Sequence, residues 1–245
     1  MQAEILYMDA DMIAAAKPAG MASQPDRSIG MDLVNWLKNE LARREGSPGQ
    51  VLVVHRLDRP VAGVLVYARN QKAAAALSAQ LTDGRMKKEY LAVLTGRPNG
   101  QPLAQADAPD GRQWYRLETL MEAEERKNRS RTSAQKGKKA VLFYCVLAEK
   151  ETAEGLLTLV QIRLQTGRHH QIRVQMASAG APLWGDTKYN PAFTGKRGWY
   201  DLALFARSLT LKHPRTGKDM VFALPAGESI TAHFADADRA ADRIG

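Results

Sequence analysis

Short apolar runs alternate with polar turns along most of this chain, the pattern of strands more than of long helices. Ile5 to Tyr7 and Met12 to Ala16 read as two strands joined at Asp9 to Asp11, and Lys17-Pro18-Ala19-Gly20 then supplies a turn through the fixed φ of Pro and the permissive Gly. Between Ser28 and Glu45, Leu33, Val34, Leu37 and Leu41 recur at helical spacing, with Trp36 broadening the apolar face. The helix they predict ends near Gly46-Ser47-Pro48-Gly49. Val51 to Val54 and Gly63 to Ala68 have the composition of buried strands, which makes His55 to Ala62 the polar crossing between them. Asn70 is placed to cap an alanine-rich helix that Gly84 closes, and Lys87 to Leu94 follows as a strand.

The segment from Gly96 to Arg112 is rich in Pro, Gly and Asp and reads as a connection. Gln113 to Met121 and Ala140 to Lys150 predict paired strands around EAEERKNRSRTSAQKGKK, a charged run expected to be a solvated hairpin tip. Its basic part, residues 126–139, carries Arg126, Lys127, Arg129, Arg131, Lys136, Lys138 and Lys139; whether these reach RNA phosphates is left open by the pattern. In a strand from Gly155 to Gln165, Leu156, Val160, Ile162 and Leu164 share one face, while Gln161, Arg163 and Gln165 face a cleft or solvent. Arg168 to Ala179 predicts a helix closed by Gly180, on which the adjacent His169 and His170 would point about 100° apart, a poor metal pair. Leu202 to Leu211 and Met220 to Leu224 complete the strands, and the tail after Pro225 predicts a short helix.

With 245 residues and 44% hydrophobic content the chain can bury a real core. The single cysteine, Cys145, cannot form an intramolecular disulfide and sits in the apolar run Ala140 to Ala148, as expected of a buried structural thiol. That run falls well short of the ~20 residues that span a bilayer, and the acidic N-terminus does not read as a signal peptide. A reducing, cytoplasmic setting is expected. The formal charge of +9, from 35 Lys and Arg against 26 Asp and Glu, favours a polyanionic partner. Because no basic amphipathic helix concentrates that charge, the expected partner is nucleic acid, not a membrane. No phosphate-binding loop, dinucleotide fingerprint or His ligand spacing occurs, so neither cofactor nor metal is expected.

The order His55-Arg56-Leu57-Asp58, a spacer, then Gly63 and an apolar run stands among four further stretches. These are ILYMDADMIAAAKPAG at Ile5 to Gly20, KKEYLAVLTG at Lys87 to Gly96, TGRHHQIRVQMASAGAPLWGDTKY at Thr166 to Tyr189 and LTLKHP at Leu209 to Pro214. On these motifs, in order along nearly its whole length, the chain resembles the RluA family of RNA pseudouridine synthases. The resemblance implies an α+β fold with a mixed, mainly antiparallel central sheet, flanking helices and a central active-site cleft. It implies one catalytic domain over residues 1–245; no N-terminal S4 module is expected, and a monomer without an obligate protein partner is the default expectation, with oligomeric state left open. The implied reaction isomerises specific uridines in structured ribosomal or transfer RNA after the base is flipped out.

Asp58 is the implied catalytic acid, the kind of carboxylate that stabilises or traps an intermediate at a glycosidic centre. Arg173 is implied to pair with it, keeping the acid ionised and oriented. Tyr90 is implied to lie against the uracil and take part in removing its C5 proton, and Arg56 to brace the place the base vacates. Arg168 and His170 match the RNA-binding pattern, and each serves equally well as a structural donor. Two departures stand out: Arg59-Pro60-Val61-Ala62 lacks the hydroxyl pair that many relatives carry, and Gln175 stands where many place a second His. The competing readings are a catalytically silent RNA-binding protein of the same fold and a carboxylate-dependent hydrolase that releases free base.

Overall fold

In the computed structural model, which describes residues 1–26, 30–104, 110–124, 129–196, 198 and 200–242, the first apolar runs form β1 (Glu4–Met8) and β2 (Met12–Lys17). They pair antiparallel around a turn in which Asp9 Oδ1 accepts the backbone N–H groups of Asp11 and Met12. Helix α1 (Leu33–Glu45) buries Leu33, Val34, Leu37 and Leu41 as their spacing predicts. It begins at the first residue of that spacing, where the Asp32 carboxylate accepts from Asn35 N at 3.1 Å and caps it. Ser28, the near end of the stretch in which that spacing was read, lies outside the described residues.

The run Val51 to Val54 departs from expectation. Only β3 (Leu52–Val53) forms, and Val53 is 38% exposed, because the pair lies along the end of β4 (Ala62–Ala68) as a short rim. Helix α2 (Gln71–Thr82) opens on Asn70, whose side chain accepts from Ala73 N at 2.9 Å, and the chain turns out of it through Gly84 at φ 75°. Then come β5 (Lys87–Thr95), β6 (Gln101–Pro102), β7 (Trp114–Glu124), β8 (Arg129–Ser133), β9 (Lys138–Thr152) and β10 (Gly155–Leu164). The chain ends with α3 (Gln171–Ser178), β11 (Leu204–Lys212), β12 (Asp219–Ala223) and the short α4 (Glu228–Thr231) and α5 (Ala237–Asp242). The class is α+β with antiparallel pairing, as expected. No helix among the described residues is long and apolar enough to cross a membrane.

Two compact units result, one from Met1–Lys88 with Ala206–Gly227, the other from Glu89–Phe205 with Glu228–Gly245. In the first, strands run in the order β1-β2-β4-β11, with β12 on β11. Met12, Val64, Val66, Leu209 and Leu211 pack beneath Ala73 and Leu77 of α2. Gln80 fastens this helix by donating to Lys212 O and accepting from Lys212 N, each at 2.7 Å. Gly63, at φ 131°, brings β4 against β11 so closely that a Cβ would sit 2.1 Å from the Ala206 carbonyl oxygen. Gly63→Ala is therefore expected to cost about 3 kcal/mol, from backbone strain plus overpacking, read as a lower urea midpoint.

In the second unit the order is β5-β10-β9-β7-β6, with β8 added to β7. The charged run expected as a hairpin tip thus contains a strand of its own: Arg129 to Ser133 alternates Ser and Thr with Arg and pairs along Leu120 to Glu124. Arg126 and Lys127 lie outside the described residues. The polar face of β10, expected to border a cleft or solvent, is exposed at Gln165, just past the strand's end, and covered at its middle. Gln161 is 4% exposed, because the Arg112 guanidinium bonds its Oε1 at 3.1 Å and the Ala241 carbonyl of α5 at 2.8 Å. The Arg163 guanidinium lies 4.4 Å over the Trp114 ring centre. Gln175 donates from Nε2 to Ala140 O and Thr119 Oγ1 and accepts from Gln171, stitching α3 to β7 and β9. An amide does this work because it both donates and accepts within a dry contact.

Candidate active site

Asp58 lies in the first unit on the crossing before β4, half-buried, and its position is fixed through its neighbours' backbone. Ser23 Oγ donates to Leu57 O at 2.8 Å and accepts from Leu57 N at 3.1 Å. On the other side, Arg59 O accepts from Gly20 N at 2.9 Å and from Lys17 Nζ at 3.1 Å. The loop closes on itself where Val61 N reaches Asp58 O at 2.9 Å. Lys17 is fully buried, and its Nζ also donates to Pro18 O and Met21 O, so three carbonyls match the three protons of an ammonium group. Burial pulls the Lys17 pKa down to about 7, against the attraction of the Asp58 carboxylate. Arg56, two residues before Asp58, is exposed.

His55 opens the same loop and is buried, its Nε2 accepting from Val66 N at 3.2 Å. It therefore fills an orphan donor of β4 in the neutral form, and burial, with help from the Lys88 charge, pushes its pKa down to about 3. An unfolded chain protonates histidine near pH 6.5, so between about 6.5 and 3 the unfolded state holds the extra proton and stability falls as pH falls. Wild type should lose about 2 kcal/mol more than His55→Gln between pH 6.5 and 5, measured by urea unfolding.

One set of ligand atoms among the described residues, from Asp9, Asp11 and His213, lies within 4.8 Å of one another, a grouping that spacing along the chain could not reveal. Asp9 and His213 are engaged with each other, while the buried Asp11 Oδ2 accepts no hydrogen bond among the described residues and has a guanidinium charge beside it. His213 Nδ1 accepts the N–H groups of Arg215 and Thr216 at 3.2 and 3.1 Å, which puts the ring proton on Nε2, 2.6 Å from Asp9 Oδ2. Arg215 Nε sits 2.7 Å from Asp11 Oδ2. The cluster is a tie between the β1–β2 turn and the turn after β11, and it gives the His of LTLKHP a structural task.

In the second unit Tyr90 lies on β5, buried and paired with Ile162 of β10. Arg168 and His170 do not begin the helix, as their spacing suggested; α3 starts at Gln171, whose Oε1 accepts from Arg168 N at 2.9 Å. His170, at φ 55°, is the one non-glycine with positive φ among the described residues. It turns the chain sharply, and the rings of His169 and His170 stack 3.7 Å apart where a shared helix would have splayed them. Arg168 Nε donates to Lys139 O at 3.0 Å, which makes it a donor to its own fold.

Arg173 projects from α3 into a buried bidentate pair with Asp186, Nε to Oδ2 at 2.8 Å and Nη2 to Oδ1 at 2.7 Å. Oδ1 also accepts from Lys188 N and Tyr189 N, so the carboxylate is oriented by backbone, and the Tyr189 ring lies 5.2 Å from the guanidinium carbon. Lys17, Ser23, Asp186 and Tyr189 were not singled out by sequence. Lys17, Asp186 and Tyr189 nonetheless sit inside the quoted stretches KPAG and GDTKY, which was the available signal. Cys145 is buried, and burial pushes its thiol up to about 11, which suits a packing residue.

Residues 11–178 match the family model described as RNA pseudouridylate synthase. The Bacillus subtilis protein named uncharacterized RNA pseudouridine synthase YlyB is 34% identical over 237 residues, covering 94% of this chain and 71% of its own. The tRNA pseudouridine synthase C of Haemophilus ducreyi is 34% identical over 231 residues, covering 88% of each. The ribosomal large subunit pseudouridine synthase D of Zymomonas mobilis is 32% identical over 229 residues, covering 89% of this chain and 68% of its own. Among solved structures, human RNA pseudouridylate synthase domain containing 4 aligns with a TM-score of 0.70 at 18% identity, over 96% of this chain and 92% of that one, a likeness of fold.

Proposed function

Since this chain belongs to the RluA family of RNA pseudouridine synthases, we propose that it isomerises specific uridines in structured ribosomal or transfer RNA, with Asp58 as the catalytic acid. The reaction breaks the N1–C1′ bond, turns the uracil, joins C5 to C1′, moves the C5 proton off carbon and leaves a proton on N1. Nothing is oxidised or consumed. Asp58 supplies the carboxylate that stabilises or traps the intermediate while the base turns. Arg173 contributes its positive charge to the reaction, held in place by its bidentate pair with Asp186. Tyr90 offers its ring to the uracil, compensating for the stacking lost on extrusion, and takes part in removing the C5 proton. Arg56, exposed beside Asp58, braces the vacated stack.

The observation that carries the assignment is the mounting of Asp58. Ser23 holds the residue before it, and Lys17 with Gly20 holds the residue after it, so the carboxylate stands on a rigid loop. Arg168 and His170 are placed by this reading nearer to structure than to RNA, given the bonds each makes within the second unit. Residues 1–245 are taken as one catalytic domain working as a cytoplasmic monomer without a cofactor, and the charge of +9 supports a polyanionic substrate.

The test is site-resolved pseudouridine mapping of total RNA from cells with and without the protein, with the Asp58→Ala form restored in parallel. Sites that vanish on deletion and return only with native Asp58 support both reaction and target. A map that does not change, under conditions where the protein is expressed, rejects it.

A further inference from the structure

We propose that the Tyr189 hydroxyl is a positioning group for Arg173, tying the start of α3 to the basic β7–β8 hairpin. The inference rests on the reading above that Arg173 acts in the reaction. Tyr189 touches three parts of the second unit at once. Its hydroxyl accepts the backbone N–H of Ser130, on β8, at 2.8 Å. The same oxygen lies 2.7 Å from Nδ1 of His170, the left-handed residue from which α3 departs. Its ring lies 5.2 Å from the Arg173 guanidinium carbon, and its backbone N–H bonds Asp186 Oδ1, the oxygen that also accepts from Arg173 Nη2.

A non-glycine residue stays in the left-handed region only when its surroundings hold it there. For His170 those surroundings include the Tyr189 hydroxyl and the stacked His169 ring, and His169 Nδ1 in turn lies 2.9 Å from Ser130 Oγ. Both supports therefore end on Ser130. Its neighbours Arg129 and Arg131 give β8 its positive charge, and Arg131 is exposed and shared with Glu122 and Glu124, a pairing that a phosphate can displace. A shift of the hairpin under a polyanion moves Ser130 and the hydroxyl it bonds, and with them the first turn of the helix that carries Arg173 two residues on. Tyr189 thereby makes the placement of the guanidinium depend on whether the hairpin is engaged.

Tyr189→Phe isolates the hydroxyl, since it keeps the ring over Arg173 and the backbone bond to Asp186. The first readout needs no reaction: the Nε–H resonance of Arg173 in a proton–nitrogen correlation spectrum, assigned by its loss in Arg173→Lys. Tyr189→Phe should shift this signal and speed its exchange with solvent about tenfold, with the melting temperature within a few degrees of wild type. Ser130→Pro, which removes the same bond from the other side, should reproduce the shift. An Arg173 signal unchanged in both variants overturns the proposal.

The second readout is single-turnover conversion of an RNA carrying a mapped site. The rate at saturating RNA should fall about tenfold in Tyr189→Phe while the RNA dissociation constant stays within about twofold. A loss confined to affinity, with the saturating rate intact, also overturns it, because it makes Tyr189 a docking residue only. Full conversion by Asp58→Ala would instead refute the reaction assignment, and the resonance of Arg173 would still decide the role of Tyr189.

Discussion

Asp58→Ala should abolish pseudouridine formation, lowering the single-turnover rate by about 10⁴-fold or more, and leave a folded protein that still binds RNA. The separation follows from how the loop is held. The bonds to Ser23, Lys17 and Gly20 involve the backbone of Leu57 and Arg59, and none of them uses the Asp58 side chain. The variant does remove a negative charge that supports the Lys17 ammonium, whose pKa should move further below about 7. Melting should change by only a few degrees at pH 8, and more at pH 6, where the unaided ammonium must still be buried. Wild type must convert uridine without releasing base; free uracil in place of a constant RNA mass would turn the assignment toward a hydrolase.

Asp186→Ala should be the most damaging substitution in the second unit, costing about 3–5 kcal/mol in urea unfolding. Arg173 and Asp186 are both buried, and their pair is bidentate, so removing one carboxylate strands a guanidinium out of water and frees two backbone donors, Lys188 N and Tyr189 N. Removing both charges together is expected to be milder: Arg173→Met with Asp186→Leu should recover more than half of the lost stability while leaving conversion undetectable. If the double variant is no more stable than Asp186→Ala alone, the cost lies in packing and not in the unpaired charge. Asp186→Asn keeps the shape and should fall between, folded but slow.

Much of the first unit could be read from the chain because its determinants are local. An Asn cap, a Gly after the last turn, a helical spacing of leucines and a β-branched run each specify their element within a few residues. The start of α3 differs from its sequence expectation for the complementary reason. Arg168 to His170 has the composition of a first helical turn, and what keeps it out is Tyr189, on a distant part of the chain, together with the stacked neighbouring ring. Strand β8 was hidden in the same way, since a run of Arg, Ser and Thr becomes a strand only because the end of β7 offers an edge to pair with. At the site, the motif letters pointed to Asp58, Tyr90 and Arg173, but the partners that hold these residues come from sequence separations no periodicity reports. Ser23 reaches Leu57 across 34 residues and Asp186 reaches Arg173 across 13.

The discontinuity of the first unit has a consequence in time. Residues 1–88 emerge from the ribosome before any of 206–227 exists, and at about 5–20 residues per second the wait for Ala206 is on the order of ten seconds. Throughout it, β4 has no β11 beside it, Gln80 lacks the Lys212 backbone it will bond, and the face of Gly63 stands uncovered. The nascent half that bears Asp58 must therefore be kept from pairing with other chains until its last two strands are made, which makes translation rate and chaperone capture a determinant of how much enzyme matures.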